Sequence, residues 1–201
     1  MARYTGPSCR QCRNVLEKLY LKGEKCYTPK CPVAKRKTKP GENRSKNKPS
    51  IFAVQQLEKQ KVKFMYGLLE TQFYRYFTEA SSKTGATGEN LLSFLERRLD
   101  NVIYRLRIGK SRKQARQMVR HGNVLINGKR VDIPSYRVSI GDKISLLNKE
   151  VVDKEAFKQV VVPSWLKLEK EKIEAEVVQL PKRDAIDYEV NEKLIVEFYS
   201  R

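Results

Sequence analysis

The sequence predicts an α+β fold, and two patterns along its 201 residues support that prediction. Apolar residues recur at helical spacing between residues 51 and 106, and a Ser-capped helix then leads into turn signals between short apolar runs. Helices followed by a small set of antiparallel strands are typical of the α+β class. We therefore expect a mainly helical part and a compact unit of helices and a small sheet.

The helical part begins after Ser50. Five large apolar side chains at spacings of three or four residues predict one helix over about 51–80: Val62, Met65, Leu69, Phe73 and Tyr76. Residues 81–88 are expected to form a loop. A second helix should follow Thr87 and end at Gly109, on the spacing of Leu92, Leu95, Leu99, Val102 and Leu106. At the end of the chain, helical spacing favours a helix although the composition also suits a strand: Leu194, Ile195, Phe198 and Tyr199.

The compact unit begins with a further helix and continues into turns. Ser111 stands three residues before Gln114, which is a capping-box pattern, and Gly122 is placed to end the helix that follows. Two turn signals then separate apolar runs: Asn127-Gly128 and Gly141-Asp142. The runs around them predict strands at 124–126, 129–131, 138–140 and 143–147. A small antiparallel sheet should therefore pack behind this helix.

The charge is large and unevenly distributed. The chain carries 42 Lys and Arg against 23 Asp and Glu, for a net charge of +19. Two blocks account for the whole surplus, residues 1–50 with net +11 and residues 97–130 with net +10, while the rest of the chain has net −2. Clustered cations favour a polyanion such as nucleic acid, since neutralised phosphates release counterions. A merely solvated basic surface and an anionic membrane are the alternatives. No apolar run is long enough to span a membrane or to resemble an export signal, so we expect a soluble cytoplasmic protein.

The segment from Lys35 to Pro49 has no side chain suited to a core, and Pro40-Gly41 breaks any helix. It is expected to be an extended basic arm that becomes ordered on phosphates, with a plain flexible linker as the alternative. The candidate contacts in it are Lys35, Arg36, Lys37 and Arg44.

The four cysteines lie within 23 residues in the pattern C-x2-C-x13-C-x4-C: Cys9, Cys12, Cys26 and Cys31. Two close pairs at this spacing can complete a tetrahedral thiolate shell around one structural zinc ion. Two disulfides are the competing explanation, although disulfides do not persist in a reducing cytosol. A redox pair is a third, although the βαβ pattern that usually accompanies one is absent.

The helix after Ser111 is expected to face RNA. At 100° per residue Arg112, Arg116 and Arg120 share one strip, while the apolar Ala115, Met118 and Val119 centre about a third of a turn away. Arginine forks suit phosphate oxygens, so this strip is the main candidate interface. The wider set of candidate RNA contacts here is Arg97, Arg98, Arg105, Lys110, Ser111, Arg112, Lys113, Arg116, Arg120, His121, Asn127, Lys129, Arg130 and Tyr136. The single histidine, His121, has no nucleophile or second histidine beside it, so no catalytic residue is predicted.

Several stretches resemble the family of small-subunit ribosomal protein number four, in its zinc-bearing bacterial form. They are the run from Leu95 to Leu106, the run from Ser111 to Gly122, Val131 to Tyr136, and both ends of the chain, Met1 to Pro7 and Val190 to Arg201. The resemblance covers nearly the whole chain.

The resemblance implies a structural ribosomal protein that binds the five-prime domain of small-subunit ribosomal RNA at a multi-helix junction early in assembly. It also implies a contact with ribosomal protein number five, a role in translational accuracy and, in some members, repression of the protein's own messenger. On this reading residues 1–46 form the zinc-binding segment and basic arm. Residues 94–174 form an RNA-binding domain inserted into a helical domain made of 47–93 and 175–201. No membrane and no small-molecule substrate are expected as partners.

Two other classes of protein remain open. An RNA-modifying enzyme can carry a similar RNA-binding module, but this chain shows no phosphate-cradling glycine loop or paired catalytic carboxylates. A zinc-dependent transcription factor would need a recognition helix for duplex DNA. A competition between structured ribosomal RNA and duplex DNA would distinguish the ribosomal class from the transcription factor.

Overall fold

The computed structural model describes residues 3–36, 38–41, 48–148, 157, 161–169 and 172–200. It divides the chain into two compact units. Unit 1 contains Met1–Leu91 and Tyr188–Arg201, and unit 2 contains Leu92–Asp187. An inserted arrangement was expected, but the predicted boundary at 174/175 falls inside a strand of unit 2. The structure places it at 187/188.

Unit 1 is helical in its described part. Its helices are α1 Ser8–Val15, α2 Pro32–Lys35, α3 Ile51–Met65, α4 Glu70–Ser81, the start of α5 Thr87–Glu96, and α8 Glu192–Tyr199. The helix predicted over 51–80 is two helices. Its break falls at Gly67, whose φ of +63° lies in the left-handed region that ends helices. The following Leu68 N–H donates to the Lys63 carbonyl at 3.0 Å, which closes the end of α3.

The C-terminal helix α8 is confirmed, and it packs on α3 and α4 through aromatic rings. Phe198 stacks on Phe52 with ring centroids 5.4 Å apart, and Tyr199 lies 4.5 Å from Phe77. The Tyr199 hydroxyl donates to Glu70 at 2.8 Å. The Glu70 Oε1 atom also accepts from the buried ammonium of Lys59 at 2.6 Å. The C-terminal helix is thus held to residues 51–81, which precede unit 2 in the chain.

Unit 2 contains α6 Leu99–Arg105, α7 Arg112–Arg120 and the five strands β1 Val124–Ile126, β2 Lys129–Arg130, β3 Lys143–Leu146, β4 Leu166–Glu169 and β5 Glu174–Val177. The strands form one antiparallel sheet in the order β2-β1-β3-β5-β4. The helices and the sheet share one apolar core that includes the fully buried Trp165. The α+β prediction is confirmed. The sequence reasoning had not identified β4 and β5 individually.

The helix predicted from 87 to 109 is also two helices, because the chain is extended at Arg98. The Leu99 N–H donates to the Tyr136 carbonyl at 2.8 Å, and the Val138 N–H donates to the Arg97 carbonyl at 3.0 Å. This pairing explains a second correction: residues 138–140 do not form the predicted strand, since Val138 bonds to the 97–98 segment. The neighbours of β3 are β1 and β5.

Candidate nucleic-acid interface

Helix α7 begins and ends where the sequence predicts. The Ser111 hydroxyl accepts from the Gln114 N–H at 3.3 Å, which satisfies one of the free donors of the first turn. Gly122 has a φ of +72° and closes the helix through its N–H to the Val119 carbonyl at 2.8 Å. Ser111 is therefore a capping residue, and its predicted RNA contact competes with this role.

Two of the three residues of the predicted arginine face are not exposed as expected. Ala115, Met118 and Val119 are buried as expected, but the residue Arg112 is also buried and the side chain of Arg116 is only 12% exposed. Arg120 alone of the three is exposed, at 62% of its side chain. Arg112 and Arg116 lie at the edge of the apolar face of α7, and their side chains bond to residues of α6.

These side chains belong to a buried arginine network, which we define as Glu96, Arg98, Asp100, Asn101, Arg105, Arg112 and Arg116. Asp100 is one of its two anchors. Arg98, whose side chain is 1% exposed, donates to both Asp100 oxygens, from Nε at 3.1 Å and from Nη2 at 2.8 Å. Arg116 donates to the same carboxylate at 3.2 Å from the opposite helix. Asp100 therefore connects α6 to α7.

Glu96 is the second anchor, and it is completely buried. Arg105 donates to both of its oxygens at 2.9 Å, which is the bidentate geometry of a strong pair. Asn101 donates to the same carboxylate at 2.8 Å and accepts from Arg112 Nε at 2.9 Å. Four predicted contacts are thus part of the core hydrogen bonding, and this conformation does not offer them to a phosphate: Arg98, Arg105, Arg112 and Arg116.

Five exposed cations of unit 2 lie on α7, in the turn before it and on the hairpin. We define the basic strip as Lys110, Lys113 and Arg120, all of which are exposed. Lys113 and Arg120 are seven residues apart and so point in nearly the same direction, and Lys110 lies in the turn before them. That turn is fixed, since the Lys110 N–H donates to Gln114 Oε1 at 2.9 Å. The strip is therefore presented on a rigid support.

The hairpin adds two exposed cations, Lys129 and Arg130, next to the exposed His121. Asn127 and Gly128 have φ values of +51° and +77°, as the predicted two-residue turn requires. Arg130 lies over Gly122, where any side chain would collide with it, and donates to the His121 carbonyl at 3.1 Å. The hairpin is thus held against the end of α7.

Three further predicted contacts have structural roles. The Asn127 side-chain amide donates to Asp142 at 2.9 Å and accepts from the Lys143 N–H at 2.9 Å. Its donor and its acceptor are therefore both used to stabilise the turn. Arg97 is half-buried, and its Nε donates to the Val138 carbonyl at 2.8 Å. Tyr136 is half-buried and its carbonyl supports the start of α6.

The basic arm is described only in part. Lys35 and Arg36 are exposed at the end of α2, whereas Lys37 and Arg44 lie outside the described residues. Arg13 of α1 donates to the Thr38 and Lys39 carbonyls at 3.2 and 3.3 Å. The start of the arm is thus connected to the cysteine segment.

All four cysteines are free thiols and line one small cavity. Burial raises the pKa of the Cys12 thiol and that of the Cys26 thiol. The Lys22 N–H donates to Cys26 Sγ at 3.4 Å. In the described part of the chain, no group of three or more histidine, cysteine, aspartate or glutamate side chains is already arranged to hold a metal ion. The donor set fits zinc in kind and number, but the sulfurs do not yet form a closed site.

The cysteine segment is also part of the core of unit 1. Leu19 is fully buried, and the side chain of Lys61 on α3, only 8% exposed, donates to Glu17 at 2.7 Å. The described residues around Glu17 and Leu19 are therefore packed into unit 1.

Comparison with known proteins agrees with this geometry. Residues 3–96 match the family model described as "Ribosomal protein S4/S9 N-terminal domain", and residues 97–144 match the "S4 domain". The matches place the chain in the class of ribosomal proteins that carry an S4 domain.

Full-length relatives identify the family. The chain is 54% identical to small ribosomal subunit protein uS4 of Halothermothrix orenii, 52% to uS4A of Symbiobacterium thermophilum and 50% to uS4 of Dictyoglomus turgidum. Each alignment covers 100% of both chains. The chain belongs to the uS4 family of small ribosomal subunit proteins, as the resemblance predicted. Among its described residues, no helix is long and apolar enough to cross a membrane.

Proposed function

We propose that the protein is a structural component of the small ribosomal subunit and binds ribosomal RNA through unit 2. The observation that carries the proposal is the basic strip together with Lys129 and Arg130. These cations are exposed on elements whose backbone is held in place by hydrogen bonds, from the Lys110 N–H to Gln114 and from Arg130 to the His121 carbonyl. A backbone that is already fixed does not have to be ordered on binding, so this arrangement favours phosphates whose positions are fixed by folded RNA.

The partners in this proposal are small-subunit ribosomal RNA and neighbouring ribosomal proteins. The family relation supports both. A contact with protein number five, a role in accuracy and binding of its own messenger remain expectations from the resemblance. The role is structural, and pure protein is expected to bind RNA without cleaving or modifying it.

The test compares two triple variants that remove the same charge from different surfaces. One replaces Lys110, Lys113 and Arg120 by Gln, and the control replaces the equally exposed Lys83, Lys167 and Lys193 by Gln. Binding to the five-prime domain of small-subunit ribosomal RNA is measured at several salt concentrations. The strip variant should lower the slope of log affinity against log salt by about two, since each lost phosphate contact removes roughly 0.7–0.9.

The control should leave that slope close to the original value. Equal slopes for the two triple variants would show that the basic strip is not the interface. Equal affinity of the original protein for this RNA and for duplex DNA of the same length would overturn RNA recognition itself.

We further propose that Cys9, Cys12, Cys26 and Cys31 hold one structural zinc ion. Their spacing and their shared cavity support this assignment. Binding would draw the four sulfurs together and would displace thiol protons. Because this segment packs on α3, the ion would stabilise unit 1 as a whole.

A further inference from the structure

Arg107 occupies a backbone position that disfavours it. It is the second residue after the end of α6, next to the capping residue Leu106, and its φ of +58° lies in the left-handed region. A side chain is strained there, and the residue usually found after a helix in this conformation is glycine. The neighbouring Ile108 is buried, so the chain cannot easily relax at this point.

The Arg107 side chain has a weak contact with one aromatic ring. Its guanidinium carbon lies 5.9 Å from the Tyr104 ring centroid, at the outer limit of a cation–π contact. Arg112 lies closer to the same ring, at 4.3 Å. Within the described ranges no carboxylate pairs with Arg107, and the residue is exposed. A residue that is strained, charged and exposed, with no carboxylate partner in the described part of the chain, suggests an anionic partner outside the protein.

The turn that holds Arg107 is rigid. Gly109 lies so close to α7 that an added Cβ would come within 2.9 Å of the Ala115 nitrogen. The Lys110 N–H is bonded to the side chain of Gln114, as described above. Arg107 thus belongs to the same fixed turn as the first residue of the basic strip.

We propose that Arg107 contacts an RNA phosphate and extends the basic strip across the α6–α7 turn. This rests on the proposed function. The guanidinium fork can donate two hydrogen bonds to one phosphate, and the αL backbone aims it away from the core. Sequence reasoning did not select Arg107, because strain is not visible in the residue pattern.

Substitution of Arg107 separates a binding role from a structural one. If Arg107 binds RNA, its replacement by glycine should weaken binding without lowering the thermal midpoint, whereas a structural role predicts a lower thermal midpoint. Arg107→Gly removes the charge and relieves the backbone strain. We expect the thermal midpoint of the full-length protein to hold or rise. The salt slope for the five-prime domain of small-subunit ribosomal RNA should fall by about 0.7–0.9. Arg107→Lys keeps the charge and should retain the original slope.

Leu16→Gly is the matched control, since Leu16 is an exposed uncharged residue with a φ of +59°. It should leave the salt slope unchanged. The assignment of Arg107 would be overturned if Arg107→Gly left the salt slope unchanged or lowered the thermal midpoint. It would also be overturned if Arg107→Lys reduced the salt slope as much as Arg107→Gly. These outcomes would leave the proposed function intact, whereas failure of the original protein to prefer this RNA over duplex DNA would overturn the proposed function.

Discussion

Replacing Asp100 by Asn should destabilise unit 2 strongly, although the side chain keeps its shape. Asp100 accepts both hydrogen bonds from Arg98 and a third from Arg116. The substitution removes the negative charge and presents an amide N–H to a guanidinium that also donates. Arg98 cannot recover these bonds in water, because its side chain is 1% exposed.

The magnitude follows from the burial of the remaining charge. Removing one partner of a buried ion pair typically costs about 3–5 kcal/mol, since the other charge stays desolvated and unpaired. Arg116 is 12% exposed and can turn towards solvent, so most of the loss comes from Arg98. We expect a loss of about 3 kcal/mol or more in the free energy of unfolding of unit 2.

The assay uses the only tryptophan of the chain, Trp165, which is fully buried in unit 2. Its fluorescence in urea follows this unit separately from unit 1. With a denaturant slope of about 1–3 kcal/mol per molar, the midpoint should fall by about 1–3 M. Asp132→Asn is the control, because the ion pair of Asp132 with Arg120 is 3.6 Å long and exposed. It should change the unfolding free energy by less than about 1 kcal/mol.

Removing both partners provides a second check. An Arg98→Met, Asp100→Leu double variant leaves no buried charge from this pair and should recover much of the lost stability. If Asp100→Asn shifts the midpoint no more than Asp132→Asn does, the network is not a stabilising part of the core.

The remaining predictions concern unit 1. Partial burial opposes ionisation of Glu70, but hydrogen bonds from Lys59, Lys63 and Tyr199 outweigh it and lower its pKa to about 2 from 4.5. The charged Glu70 carboxylate therefore stabilises unit 1 above pH 4.5, and this stabilisation is lost as the pH falls towards 2. Helical circular dichroism measured against pH should show the loss. Glu70→Gln should remove this pH dependence. For the metal, elemental analysis of the reduced protein should find about one zinc per chain and much less in Cys12→Ser. Metal-free original protein, or two disulfides in cytosolic material, would contradict the zinc proposal.

The parts of the fold that the sequence predicts correctly are those set by local chemistry. The Ser111 cap, the Asn127-Gly128 turn and the C-terminal helix each depend on residues close together in the chain. The break at Arg97 and Arg98 was not predictable in this way. Its backbone bonds to residues 136–138, and nothing in the helical spacing from Leu92 to Leu106 indicates that distant partner.

The exposed and buried arginines were confused for a related reason. Helical spacing places Arg112 and Arg116 beside the apolar face of α7 and cannot say whether that edge is covered. One signal was available: Asp100 and Asn101 stand among apolar residues of α6, where polar side chains are rare unless they are paired. Such residues indicate a buried partner, and arginine is the side chain best suited to that role.

Net charge in the sequence therefore overstates the surface available to RNA. The block from 97 to 130 carries net +10, but four of its arginines are used inside unit 2 to hold the helices together. Their burial fixes the angle of α7, and that angle decides where the exposed lysines point. A lysine binds phosphate as a point charge, so its position matters more than its hydrogen-bond geometry. In the proposed interface, the buried arginines would set the positions of the exposed cations, and those cations would supply the attraction to RNA.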